Sequence, residues 1–433
     1  MFCPLQKFQR RDKSKVRKKW RLFHATDFQS LMLPCFTFCR MLGIFPYKIN
    51  CSRFEVSKPR YILSSIVFGV QCIYFAGQFY DFKTIQYDGV PDALQSYCFF
   101  IIGGFITIVT YILSGPRMRL LQTVMEISSA LPPKTYNRLS RILHAKDIIG
   151  FFFLFGQILN CRAVTILRII FKLFALYSLL LTYQMDMLYM NCVCVLNACF
   201  QRINDNLTNL RKLIINNESH RFMHIHHERT NSFLLVELKM LQKWHLMISD
   251  TVQMLNVICT PQLLASIIMT FAEITFSLYF YVVEFREKVS IVNLDKQIWY
   301  SYITTSVTYY FIKLALIVWS CENGKTEALK IGTTVHDVLV STTDEQIKEE
   351  LQLFSLQILH RDNTFCAKGL TIDMTFLTAV SDRSQLFAYL FYFVLLINLK
   401  ICSYIIYSII VFIDNRQYHD ISVNLGTIYG RSE

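Results

Sequence analysis

Long apolar runs separated by shorter polar stretches dominate this chain. A helix needs about twenty apolar residues to cross a bilayer. Six runs are placed on that measure, at 61–80, 93–114, 148–159, 169–200, 253–283 and 298–320, and a seventh falls within 369–413. The second ends at Gly115-Pro116, a pair expected to stop a helix. The third has a core of only twelve residues, IIGFFFLFGQIL, and crosses only if Ile142 to Ala145 and residues past Cys161 extend it. Beyond the fourth run, Leu234, Leu238, Leu241 and His245 share a helical face within 201–247. The fourth and fifth spans are therefore expected to project past the membrane as long helices. Residues 28–46 are too short and interrupted to span and read as an amphipathic interfacial helix. Residues 342–360 read as a further helix, with Thr343 as cap and Gln346 completing a capping box. Its face of Ile347, Leu351, Phe354 and Ile358 suits packing against the inner ends of spans four to six or a neighbouring subunit. The plainer alternative is a surface helix lying on the membrane, although this loop is net acidic and gains little from anionic lipid. The expected fold is all-α: a polytopic membrane protein with seven transmembrane helices.

Charge gives the orientation. Residues 1–60 hold fourteen Lys and Arg, 115–147 six, 201–247 seven and 321–368 five; the intervening 81–95, 160–168 and 284–297 hold one, two and three. Cytoplasmic loops keep the excess of cations, so the N-terminus is expected in the cytosol and, after seven crossings, the C-terminus outside. That is opposite to a G-protein-coupled receptor. The composition agrees with a membrane domain: 53% hydrophobic and 17% charged, against about 25% charged in soluble proteins. The net charge of +13 resides mostly in residues 1–60, and the run Arg10 to Arg21 precedes the first span. It is read as a segment drawn to anionic lipid, not to nucleic acid. The first apolar stretch comes too late for a secretory signal, so span one is expected to act as the insertion signal. Residues 1–60 then form a basic cytosolic segment, 61–320 a six-helix bundle, 321–368 a cytosolic segment, 369–413 the last span region and 414–433 a tail.

Chemistry-bearing residues are few. The fourteen cysteines lack metal-site spacing and read as buried apolar filler. His220, His224, His226 and His227 lie close together, but no carboxylate or cysteine completes a set, so neither metal nor cofactor is expected. Three glycosylation sequons, at Asn50, Asn206 and Asn217, fall on the expected cytosolic side and are expected to stay unmodified. Polar groups inside spans are costly and so are functional candidates. Gln184 and Asp186 lie near the middle of span four, Glu273 toward the outer end of span five and Lys313 toward the inner end of span six. The competing reading is that they hold helices together. On span six, Tyr302, Thr305 and Tyr309 share a face that could line a pocket for a sugar ring or an alkaloid, with an interfacial aromatic belt as the alternative.

Several stretches in this order resemble the insect gustatory receptors. They are RMLGIFPY before span one, MDMLYMNCVCVLNACFQRINDNL at the end of span four, CENGKTEALKIGTTVHDVL after span six, and EELQLFSLQILHRDNTFCAKGLTIDMTFLTA. The resemblance runs to about Ala379. It implies a plasma-membrane, ligand-gated, cation-permeable channel. Such a channel forms a homo- or hetero-tetramer around a central pore and takes a small-molecule tastant, a sugar or a bitter compound, in the outer half of each bundle. It also implies that the last helix lines the pore and that the helix at 342–360, with Ile347, Leu351, Phe354 and Ile358, anchors the assembly. The family's signature in that last helix is Thr-Tyr, five apolar residues, then Gln-Phe. This chain departs from it: the best alignment offers Tyr389, Leu395 and Leu396, with no glutamine between Gln385 and Gln417. The departure begins at Val380-Ser381, which GTAAGT or GTGAGT can encode, the form of a splice donor. The stretch beyond it is rich in residues with AT-rich codons. The tail is therefore either translated intron or a divergent last helix. Two other function classes make different demands on the sequence. A metabotropic seven-helix receptor would put its N-terminus outside, and a transporter or enzyme would show repeats or a catalytic set. Neither feature is present, and no enzymatic activity is expected.

Overall fold

The computed structural model describes residues 22–50, 53–81, 90–159, 166–219, 224–286, 294–367 and 370–372. Helix α1 (Phe28–Met41) starts at a capping box in which Asp27 accepts from the Ser30 N–H and Ser30 accepts from the Asp27 N–H. Its apolar stripe, Phe28, Leu31, Met32, Cys35, Phe36 and Cys39, is buried. The stripe that the sequence offered to the bilayer is thus taken up by the protein, through packing on the bundle and on an aromatic nest. In that nest Phe36 stacks on Phe45 at 4.8 Å and meets Phe54 edge-on at 5.8 Å. Phe45 precedes, and Phe54 belongs to, a hairpin of β1 (Tyr47–Asn50) and β2 (Arg53–Val56), paired antiparallel with Tyr47 opposite Val56. The hairpin was not foreseen, because its strands are too short to show a period. Ahead of α1, Phe23 adopts φ 63°, unusual for a side chain with a Cβ. Its backbone is gripped by α5: the Ser140 hydroxyl donates to the Phe23 carbonyl at 2.8 Å, and the Phe23 N–H donates to His144 Nδ1 at 3.1 Å.

Helices α2 (Lys58–Asp81) and α3 (Val90–Ile112) follow. The chain turns at Leu113 and re-enters a helix as α4 (Ser114–Ser128). Gly115 and Pro116 therefore sit in the first turn of α4 and do not stop a helix there; proline is tolerated because first-turn N–H groups lack intrahelical acceptors. Helix α5 (Pro133–Leu159) absorbs the weak third run, including Ile142 to Ala145, into one helix of 27 residues. Next come α6 (Ile166–Ser219), α7 (His224–Arg286) and α8 (Leu294–Val340), of 54, 63 and 47 residues. At about 1.5 Å per residue each far exceeds a hydrocarbon core of about 30 Å. Span six thus continues unbroken through Ser320 to Val340, where a separate segment had been expected. Of the described helices, α2, α3, α6, α7 and α8 are long and apolar enough to cross a membrane.

Helix α9 (Glu345–Leu359) is capped by Asp344, whose Oδ1 accepts from the N–H groups of Gln346 and Ile347 at 2.9 and 3.2 Å. The expected cap at Thr343 is off by one residue: a carboxylate is the stronger acceptor at a helix N-terminus. Helix α9 packs against α7 and α8, and a short hairpin, β3 (Cys366–Ala367) with β4 (Leu370–Thr371), follows it.

Candidate functional site

Helix α6 is the axis of the bundle: 89% of its membrane-length window is buried, against 28% for α2 and for α3. A charge carried on α6 therefore has to find its partner inside the protein. Asp186 does. Its Oδ2 lies 3.2 Å from the Lys313 ammonium of α8, and the Ser266 hydroxyl of α7 donates to the same oxygen at 2.5 Å. Lys313 Nζ also donates to Ser266 Oγ at 3.0 Å. Three helices are thus tied at one point by side chains that are each almost fully buried. The Lys313 ammonium also lies 5.5 Å from the centroid of the Tyr310 ring, whose face attracts a cation. Tyr309 packs beside it, its ring 5.0 Å from Tyr310 and 6.4 Å from Tyr183. The second oxygen of Asp186, Oδ1, has no hydrogen-bond partner among the described residues.

Glu273 lies on the same helix as Ser266, about two turns farther along it. It accepts from Gln95 Nε2 of α3 at 2.9 Å and is close enough to Lys313 to interact with its charge. Glu273 and Asp186 therefore share a cation without pairing with each other. A small cavity adjoins Asp186 on the side toward α4, where Arg117 and Gln262 meet the apolar walls of Leu188 and Leu255. The Arg117 guanidinium donates to the Thr110 carbonyl at 3.2 Å and to Gln262 Oε1 at 3.3 Å.

The other candidates separate. Gln184 is two residues from Asp186 but faces α1, donating to the Cys35 carbonyl at 3.2 Å and to the Cys35 sulfur at 3.0 Å. Tyr302 is 38% exposed, whereas Tyr309 is buried. Thr305 turns its hydroxyl back onto its own helix, to the carbonyls of Ser301 and Tyr302. The face shared by these three residues therefore runs from the surface inward. Ile347, Leu351 and Phe354 are buried beneath α9, and Ile358 is half-buried. Phe354 meets the ring of His245 at 5.4 Å, and Gln357 donates to the Gln242 carbonyl at 3.1 Å. His224, His226 and His227 fall in the first turn of α7. The pore candidates Tyr389, Leu395 and Leu396, the span region from residue 373 onward and the tail lie outside the described residues. Ser266 and Gln95 were missed, since hydroxyl and amide side chains in a span carry no charge signal. Lone opposite charges on spans four and six were the available clue to the Asp186–Lys313 pair.

A sequence model of the 7tm chemosensory receptors matches residues 32–381. The structure is similar to that of the insect olfactory receptor OR5 from Machilis hrabei: TM-score 0.61, 11% identity, covering 85% of this chain and 97% of that one. The same receptor in complex with eugenol gives TM-score 0.58 at 12% identity, over 86% and 98% of the two chains. A provisionally named gustatory receptor 28b of Drosophila melanogaster is 29% identical over 139 residues, which is 32% of this chain and 30% of the relative. The match thus spans less than a third of that relative's length.

Proposed function

Because the chain belongs to the family of 7tm chemosensory receptors, a family of multi-pass membrane receptors and not of enzymes, we propose that it is a taste-receptor subunit. In this reading it is a ligand-gated, cation-permeable channel subunit with its N-terminus in the cytosol of a plasma membrane, assembling as a homo- or hetero-tetramer. The observation that carries the reading is the buried Asp186–Lys313–Ser266 knot on α6, α7 and α8. It sits in a fold shared with an olfactory receptor solved with a small organic molecule. A ligand site needs apolar walls and a few fixed polar groups, and this knot supplies the polar groups. Tyr309 and the free oxygen of Asp186 are assigned to the ligand, and Glu273 with Gln95 to its outer rim. Sugars and bitter alkaloids are the tastant classes that such hydroxyl- and carboxylate-bearing walls suit. Helix α9 and the projecting ends of α6 to α8 are assigned to assembly.

The test is co-expression with a conducting relative, challenged with a panel of sugars and alkaloids. An evoked cation current whose half-activating concentration rises about tenfold in Tyr309→Phe supports the assignment, since a lost buried hydrogen bond is worth about that factor. A response that depends on G protein and carries no such current would favour the metabotropic reading. Expressed alone, the chain as written is expected to fold and stay silent, because the signature glutamine is missing. The family match ends at residue 381, one position past Val380. Sequencing the mature transcript across the codons for Ala379 to Arg383 decides between a spliced pore helix and a genuine tail.

A further inference from the structure

Asp186 uses one of its two carboxylate oxygens in the knot, and the other is buried without a hydrogen-bond partner among the described residues. Arg117 on α4 is in a similar position. Its two terminal nitrogens donate to the Thr110 carbonyl and to Gln262, while its Nε is buried without a partner among the described residues. Asp186 is 1% exposed and Arg117 6%. Both line the small cavity where α4, α6 and α7 meet. A bare acceptor and a bare donor on the walls of one cavity are a costly arrangement, since each has lost its hydration without replacement.

Gln262 is the third polar side chain of that cavity. It lies about one turn before Ser266 on α7, the residue whose hydroxyl bonds Asp186. A guanidinium can only donate. The hydrogen bond from Arg117 at 3.3 Å therefore fixes which end of the Gln262 amide faces it, the oxygen, and the NH2 group is left as a donor for the cavity. The other walls are largely apolar, from Leu120 and Leu121 of α4, Leu188 of α6 and Leu255 of α7. The space suffices for about one water molecule, too little for an organic ligand. A buried water needs roughly two to four polar partners, and α4, α6 and α7 supply one such side chain each. Holding one water still costs less than leaving a carboxylate oxygen bare.

We infer that this cavity holds one internal water, which donates a hydrogen to Asp186 Oδ1 and accepts one from the Gln262 NH2 group, with the Arg117 Nε–H beside it as a second donor. The water extends the knot. Lys313 and Ser266 tie Asp186 to α8 and α7, and the water ties it toward α4. Arg117 is then a positioning residue, because it orients the amide that holds the water. On the reading proposed above, a tastant meets this oxygen of Asp186 through the water; the water itself does not depend on that reading.

The experiment is hydroxyl-radical footprinting of the full chain in nanodiscs, with radicals generated from water by a short X-ray pulse and side-chain oxidation read by mass spectrometry. A radical made from a held water oxidises the side chains that touch it, however deeply they are buried. Met185 and Cys192 line the cavity, whereas Met190 and Cys199, buried on the same helix, do not. Met185 and Cys192 are expected to oxidise several times faster than Met190 and Cys199. Gln262→Met keeps the bulk, removes the amide and should shrink that difference; Leu255→Phe fills the space and should do the same. A wild-type chain in which all four residues oxidise alike would overturn the inference whether or not either variant folds. So would a difference that survives undiminished in either folded variant, which would mark opening of the helices and not a held water. No tastant enters the measurement, so its failure leaves the taste-receptor reading to its own test.

Discussion

Helix α6 passes through two regions that are held together in opposite ways. Around Asp186 its contacts are polar and fully enclosed: Asp186 to Lys313 and Ser266, Gln184 to α1, and Tyr183 to the Asp147 carbonyl at 2.6 Å. From Ile203 onward the same helix buries a purely apolar stripe, Ile203, Leu207, Leu210 and Ile214, against the projecting ends of its neighbours. There the ion pairs sit at the rim, as in Arg211 with Asp337 and Arg361 with Asp250. The difference teaches where charge carries structural weight. Without water to compete, a paired charge cannot be abandoned cheaply. In contact with water, the apolar stripe does the holding and the ion pairs contribute little.

The sharpest way to break this comparison is Lys313→Met. It leaves Asp186 buried and uncompensated and should destabilise the bundle by about 3–5 kcal/mol, seen as a lowered melting temperature in nanodiscs. The double variant with Asp186→Asn should recover most of that loss. A single variant as stable as wild type would mean that the pair holds nothing. In the projecting region the corresponding weak point is steric. A Cβ on Gly324 would sit 2.4 Å from the buried ring of Phe365, so Gly324→Ala should cost about 1–3 kcal/mol through overpacking. Pairing it with Phe365→Leu should relieve the cost, read by the same melt. Next in size is the cap of α9: Asp344→Ala should cost about 1 kcal/mol and raise amide exchange over Glu345 to Lys348 before anything deeper opens. Smallest is Arg361→Gln. It removes a pair that is partly exposed on both sides and should cost no more than about 1 kcal/mol, an effect that added salt should erase.

A change of pH sharpens the comparison without a substitution. His144 accepts from the Phe23 N–H through Nδ1, and its Nε2 meets the Leu31 carbonyl at 3.0 Å. Burial lowers its pKa from the ordinary value of 6.5, and Lys146 acts in the same direction. The hydrogen bond to Leu31 and the charge of Asp147 oppose that shift. The neutral ring is thus the form that docks α1. Its contribution should be complete above about pH 6.5 and should be lost as pH falls through the lowered pKa. Limited proteolysis between Phe23 and Phe28 should then quicken on acidification, and His144→Gln should flatten that dependence. A pH-independent cleavage rate in the wild type would remove His144 as the latch.

The long helices were legible because a period of 3.6 sustained over many residues outweighs local exceptions. For that reason α6 and α7 run on as long helices as expected, and Leu234, Leu238, Leu241 and His245 are all buried along one face. Boundaries were less legible. Gly115-Pro116 stops a helix only if the chain has nowhere to turn, and here Leu113 turns first, so the pair starts the next helix. Thr343 and Asp344 are both competent caps, and only the backbone at Asp344, extended at φ −78° and ψ 119°, selects between them. The candidate cluster was half-visible: its charges stood out, whereas Ser266 and Gln95 did not.

By itself, then, the sequence determined that this is an all-α membrane protein, where its apolar runs lie and which charges inside them need an explanation. Those properties derive from burial and period along the chain. The tertiary structure decided which of those charges meet. It set Asp186 toward Lys313 and Gln184, two residues earlier, toward α1, and it folded the apolar face of α1 onto the protein. Side chains two apart on a helix point about 200° apart, so partners are chosen by which neighbouring helix lies on each side. No local pattern in the chain records that choice.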